Sequence, residues 1–181
     1  HSVRPDLLYT GHYWYRSGAT QTMRAALAEV AVKACGLVGL KSEDIVLDIG
    51  SNDGTLLNSY PIDCHKIGFE PAKNFYDVKM EKGLIVNDFW SAYAFISLVG
   101  GKARIVTALG MLYDLEDPNQ FIADVAKVLA PDGIFIAQLM TLWNMIQLGD
   151  VGNLCHEHLE FYSLRSLRLL LNKNGLEVFD I

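Results

Sequence analysis

Apolar positions follow two alternating rhythms along this chain. Short, nearly continuous apolar runs, each closed by a glycine, proline or acid, alternate with stretches whose apolar residues recur every three or four positions. The run at 45–49 predicts a strand buried on both faces, those at 65–69, 83–87, 103–109 and 134–138 predict four more strands, and 176–181 predicts a sixth. Helical spacing predicts helices over 21–35, 56–60, 71–82, 90–98, 117–129, 141–148 and 163–173. Thr20 and Ser163 suit N-caps, Pro71 suits a first helical turn, and Gly36 and Asn174-Gly175 suit helix ends. Pro131-Asp132-Gly133 reads as a turn before the fifth strand. Such alternation implies an α/β fold: a mostly parallel, Rossmann-like sheet with helices on both faces and right-handed crossovers. Ligands of these sheets lie outside the carboxyl ends of the strands.

The first strand carries the strongest local signal. Ile45-Val46-Leu47-Asp48-Ile49 runs into Gly50-Ser51-Asn52-Asp53-Gly54 and then into a helix start at Thr55. Two glycines let the backbone turn sharply or approach a ligand closely, and a helix start offers unpaired N–H groups. A dinucleotide fingerprint needs G-x-G-x-x-G, whereas here the acid comes first, in D-x-G-x-N-x-G. That order resembles motif I of class I S-adenosylmethionine-dependent methyltransferases, with Asn52 where the middle glycine is usual. A second acid, Glu70, follows the second strand 70 − 48 = 22 residues beyond Asp48, a spacing suited to ribose hydroxyls. Cofactor-binding candidates are therefore Asp48, Gly50, Ser51, Asn52, Gly54, Glu70, Pro71, Asp88, Phe89 and Leu109, with Gly110 beside the last. Asp48 is expected to shape the glycine loop, and Leu109 and Gly110 to give backbone contacts near the methionine portion. Asp88 can accept from an adenine amino group and Phe89 can pack on the ring; taken singly, each reads equally as an N-cap and a core aromatic.

Composition narrows the class without changing it. The 181 residues favour one domain with a substantial core. A formal charge of −6 without a basic run disfavours a nucleic-acid partner. Cys35, Cys64 and Cys155 are scattered, which points to a reducing, cytoplasmic setting and away from a structural zinc site. There is no apolar run of membrane-spanning length, so a membrane partner is not expected. The chain starts at His1-Ser2, without methionine, and reads as an excised or processed segment. Residues 1–41 are expected to form an aromatic segment and helix covering the cofactor site, and 42–181 the cofactor-binding core.

Two further stretches carry candidate chemistry. Tyr9, Tyr13, Trp14 and Tyr15 precede Arg16-Ser17-Gly18; packing accounts for most such aromatics, and phenol hydroxyls there can also line a ligand site. Near the other end, Cys155-His156-Glu157-His158-Leu159-Glu160-Phe161-Tyr162 sets two histidines two apart in a glycine-flanked segment. The i, i+2 spacing differs from the helical H-E-x-x-H of a zinc site, and no metal is expected. Imidazole beside carboxylate better suits acid–base work, with a solvated or core histidine pair as the other reading.

The blocks 13–24 (Y-W-Y-R-S-G-A-T-Q-T-M-R), 46–57, 68–72 (G-F-E-P-A), 113–118 (Y-D-L-E-D-P) and 155–164 together resemble the central catalytic domain of sugar-nucleotide C-methyltransferases. The resemblance implies methylation of the carbon beside the keto group of a nucleotide-linked deoxysugar. It implies His158 as the base, Glu157 as its orienting or polarising neighbour, and His156 as a possible assistant. A tyrosine hydroxyl, with Tyr15 preferred over Tyr13, would stabilise the enolate. It further implies a small zinc-binding domain before this region and an α/β domain after it, both outside this sequence. The class I fold also implies a seventh, antiparallel strand, for which no segment is visible here. O- or N-methylation of another small molecule, and a cofactor-binding module without turnover, remain open as alternatives.

Overall fold

Every strand-forming run from the middle of the chain enters one sheet. The computed structural model describes residues 3–80 and 82–181. Strands β1 (Ile45–Ile49), β2 (His65–Phe69), β3 (Gly83–Val86), β4 (Ala103–Leu109) and β5 (Leu129–Gln138) lie in the order β3-β2-β1-β4-β5, and every neighbouring pair is parallel. The helices are α1 (Pro5–Tyr9), α2 (Gln21–Val38), α3 (Thr55–Asn58), α4 (Ala92–Val99), α5 (Pro118–Val128), α6 (Leu142–Leu148) and α7 (Leu164–Lys173).

Alternate side chains of the central strands feed two cores. Leu47, Ile49, Phe69 and Val106 pack with Phe95 of α4, with Phe121, Ile122 and Val125 of α5, and with Leu170 and Leu171 of α7. Val46 and Ile105 pack with Leu27, Ala31 and Ala34 of α2 and with Leu56 and Leu57 of α3. Helices thus cover both faces, as a parallel sheet requires. Strand order reverses between β1 and β4, and such a switch point opens a crevice at the strands' carboxyl ends. Among the described residues no helix is long and apolar enough to cross a membrane.

Several boundaries differ from the sequence reading, each for a visible reason. Helix α2 does not stop at Gly36; it continues to Val38, which is buried beside Ala34, and ends at Gly39, whose N–H reaches the Cys35 carbonyl. Burial there outweighs the roughly 1 kcal/mol that an internal glycine costs a helix. The helix expected over 71–82 shrinks to one 3₁₀ turn, Lys73–Phe75. Ala72 N–H donates to the Glu70 carboxylate and Lys73 N–H to the Gly11 carbonyl, so this stretch is tied to distant partners at its start and goes on as irregular chain after Phe75. The turn at 131–133 is absorbed into β5 as an irregularity, where Ala103 pairs with Leu129 and Ile105 with Ile134. The sixth strand does not form. Leu176 and Val178 lean on the core and Asp180 pairs with Lys33 at 2.7 Å, and among the described residues no strand pairs with 176–181. The outer edge of β5 is likewise unpaired among the described residues.

Candidate active site

The glycine turn after β1 is held from below and from the side. Gly50 and Gly54 take left-handed backbone angles, φ 75° and 74°, which glycine adopts without a Cβ penalty. The Gly50 and Ser51 N–H groups bond to the Phe69 carbonyl at 2.9 and 3.0 Å, tying the turn to the end of β2. Asp48 points into the sheet interior, where Thr107 Oγ1 donates to it at 2.6 Å. Burial, opposed by that hydrogen bond and reinforced by the Glu70 charge, pushes the Asp48 carboxyl up to about 7. Asp48 is thus fastened to β4.

Glu70 lies across the same loop. One carboxylate oxygen accepts from Asn52 N–H at 2.8 Å and the other from Ala72 N–H at 2.9 Å. Burial raises its proton affinity and the two N–H donors oppose the rise. Each oxygen keeps a second lone pair, so a pair of ribose hydroxyls can still be accepted. Pro71 is half-buried after it. Asp88 and Phe89 are exposed just beyond β3, and the Asp88 carboxylate accepts from Phe89 N–H at 2.7 Å. Leu109 is half-buried at the end of β4, and Gly110 N–H bonds to the Gln138 carbonyl. Ser51 Oγ, Asn87 Nδ2 and Trp90 Nε1 are buried at the ends of β1 and β3 without hydrogen-bond partners. Buried polar atoms left unpaired are costly, and here they offer a polar ligand both donors and an acceptor. This set fits an adenosyl group.

A second cluster gathers on loops beyond β4 and β5. His158 Nδ1 lies 2.8 Å from the Asn153 carbonyl, which only accepts, so Nδ1 carries a proton and the ring is oriented by that bond. Nε2 stands 4.0 Å from Asp114 Oδ1, a buried atom without a hydrogen-bond partner. The Tyr113 ring lies against the imidazole, centroids 4.4 Å apart. Burial first, and the neighbouring Glu157 charge second, push the Asp114 carboxyl up to about 7. Tyr13 reaches the same acids: burial, then Glu157 and Asp114, raise its phenol to about 12. Tyr9 is raised by burial, Asp114 and Glu157 in turn. Tyr15 and His156 are exposed, while Glu157 is half-buried. The arrangement offers an oriented imidazole beside two acidic side chains, with the Tyr13 phenol kept protonated as a donor.

Asp114, Tyr113 and Tyr9 went unassigned in the sequence reading. Tyr113 and Asp114 lie in the Y-D-L-E-D-P block, whose presence was the one available signal. Tyr9 sits in a segment where packing explains most aromatics.

A parallel sheet with this switch point, an acid-led glycine turn and a second acid after β2 define an S-adenosylmethionine-dependent methyltransferase. Comparison with known proteins agrees. A family model described as a methyltransferase domain matches residues 15–181, and the chain belongs to that family. C-methyltransferase NovU of Streptomyces niveus is 28% identical over 185 residues, spanning 100% of this chain and 44% of the relative. A ubiquinone biosynthesis O-methyltransferase of Bartonella bacilliformis is 27% identical over 150 residues, 75% of this chain and 60% of the relative. Magnesium protoporphyrin IX methyltransferase from Synechocystis PCC 6803, solved with bound SAH, superposes with a TM-score of 0.62 at 14% identity over 92% of this chain and 82% of its own. The chain thus spans well under two thirds of the length of either curated relative.

Proposed function

We propose that the chain is the catalytic core of an enzyme that methylates carbon beside the keto group of a nucleotide-linked deoxysugar, in the cytoplasm. Bound S-adenosylmethionine supplies an electrophilic methyl group on its sulfonium. Glu70 accepts the ribose hydroxyls, the loop from Gly50 to Gly54 takes the carboxylate end of the ligand's methionine portion, and Asp88 and Phe89 meet the adenine. His158 Nε2 removes the proton α to the ketone. Asp114 and Glu157 favour the resulting imidazolium, and a protonated phenol, Tyr13 or Tyr15, donates to the enolate oxygen. One such donor lowers the barrier by roughly 3 kcal/mol. The single observation that carries this reading is the oriented imidazole of His158, held through Nδ1 with Nε2 4.0 Å from a buried, unpaired oxygen of Asp114. Oxygen nucleophiles need less help, because a hydroxyl proton is far more acidic than one on carbon. The similarity to C-methyltransferase NovU across the whole chain supports the reading, and the three free thiols suit a reducing compartment.

The O-methyltransferase relative favours a second reading, transfer to oxygen of another small molecule. One assay separates them. The enzyme is incubated with ¹³C-methyl-labelled cofactor and a keto-deoxysugar nucleotide, and the product is analysed by carbon NMR. A label bonded to carbon and coupled to the ring is expected; a methoxy resonance would contradict the proposal.

A further inference from the structure

Among the described residues, Asn52 is the only non-glycine residue with a left-handed backbone, φ 51°. Glycine would hold that conformation at least as easily, so the side chain needs a reason of its own. Both halves of its buried amide are used. Oδ1 accepts from Ser17 N–H at 2.9 Å and Nδ2 donates to the Tyr15 carbonyl at 3.1 Å. The reversed amide would set donor against donor, so these partners admit one orientation. The Asn52 backbone N–H meanwhile donates to Glu70.

The rest of the segment 13–18 is fastened in the same way. Asn74 Oδ1 accepts from Tyr13 N–H at 2.9 Å and its Nδ2 donates to the Tyr13 carbonyl at 3.1 Å. Gly18 N–H donates to Asp53 Oδ2 at 2.9 Å, and Arg24 of α2 donates to the Gly18 carbonyl. A Cβ on Gly18 would come within 2.5 Å of Thr55 Oγ1, which is itself bonded to Asp53 Oδ1 at 2.6 Å. The Arg16 guanidinium lies 5.2 Å from the centre of the Phe75 ring. A strap carrying Tyr13 and Tyr15 is thus bonded to the glycine turn and to the segment after Glu70.

We propose that Asn52 is a positioning residue for the acceptor half of the site: its amide sets the register of the strap on the cofactor loop, and through it the placement of Tyr13 and Tyr15. The role of the two tyrosines rests on the C-methylation reading above; the clamp itself does not.

The test is amide hydrogen exchange on the whole chain with S-adenosylhomocysteine bound, for wild type, Asn52→Gly and Gly18→Ala. Asn52→Gly keeps the turn conformation and the N–H to Glu70 while removing both strap bonds; Gly18→Ala pushes the strap off without touching Asn52. In both variants Ser17 N–H is expected to exchange at least tenfold faster, with β1 amides unchanged, and trypsin to cut after Arg16 correspondingly faster. Ser17 exchange unchanged in both variants would overturn the clamp. With keto-sugar nucleotide and saturating S-adenosylmethionine supplied, kcat is expected to fall about tenfold in both variants, while the S-adenosylhomocysteine Kd of Gly18→Ala stays within threefold. A released strap with undiminished kcat would overturn the positioning role. A wild-type enzyme that methylates no keto-sugar nucleotide would count against the substrate reading, and the Ser17 exchange ratio would still decide the clamp.

Discussion

The two halves of the site are built differently. The cofactor half rests on strand ends: β1, β2 and β4 are locked in register, and Ser51, Asn52 and Glu70 are each buried and cross-bonded. The acceptor half rests on loops, where His158 is held by one carbonyl and a ring contact, and Asp114 keeps an unpaired oxygen. On the proposed reading, regular structure holds the cofactor and irregular structure carries the groups that select the atom to be methylated. Changes in the first half should therefore cost binding and folding together, whereas changes in the second should cost turnover alone.

The largest contrast is expected from His158→Ala. Removing a general base lowers kcat by roughly a hundred- to ten-thousand-fold. Cofactor affinity, measured by calorimetry, should stay within a factor of about two, and a parallel loss of affinity would dissolve the division between halves. Glu70→Ala should show the opposite profile. Hydrogen bonds to a charged group contribute about 1.5–3 kcal/mol, so S-adenosylhomocysteine should bind roughly ten- to a hundredfold more weakly. Because Asn52 and Ala72 N–H lose their acceptor, urea denaturation should also show a loss of about 1–3 kcal/mol. Unchanged affinity would remove Glu70 from the ribose contact.

Asp114→Asn is a finer test. The folded-state carboxyl is raised above its unfolded value by burial and by Glu157, so the native state holds the proton more tightly. Its contribution to stability is full below about pH 4 and is lost as pH rises through about 7. The asparagine variant lacks that loss. Its stability relative to wild type should therefore grow between pH 5 and pH 8, by about 1–2 kcal/mol once residual solvent screening is allowed for. A difference independent of pH would show that Asp114 is ionised throughout. The smallest effect is expected at His156, which is exposed: His156→Ala should change kcat by less than about threefold, within the range for surface substitutions.

The sequence reading succeeds where burial on both sheet faces imposes a pattern. β1, β2 and β4 occupy the runs 45–49, 65–69 and 103–109, and the caps at Thr20 and Ser163 are made by their own side chains. It fails where partners are distant in sequence. The stretch after Glu70 has a helical pattern and a favourable proline, yet its backbone is claimed by Gly11 and by Glu70. Leu176 to Ile181 has strand composition, but a strand needs a neighbour as well as a pattern. In the site, Asp48, Asn52 and Glu70 were legible because they sit at fixed distances around a glycine turn. Asp114 was not, since a single buried acid has no periodicity; only the fold brings it to His158. Of the two tyrosines the sequence favours Tyr15, whereas the fold sets Tyr13, half-buried, within reach of the charges of Glu157 and Asp114 and leaves Tyr15 exposed, a difference that depends on partners distant in sequence.

The central claim, that one crevice above β1, β2 and β4 holds the adenosyl group and turns its sulfur toward His158, is tested most directly by a crystal structure with S-adenosylhomocysteine. The account predicts ribose hydroxyls on the Glu70 carboxylate and the ligand sulfur on the side of the crevice that His158 Nε2 faces. A ligand bound away from Glu70, or a sulfur separated from His158 by the body of the sheet, would contradict it.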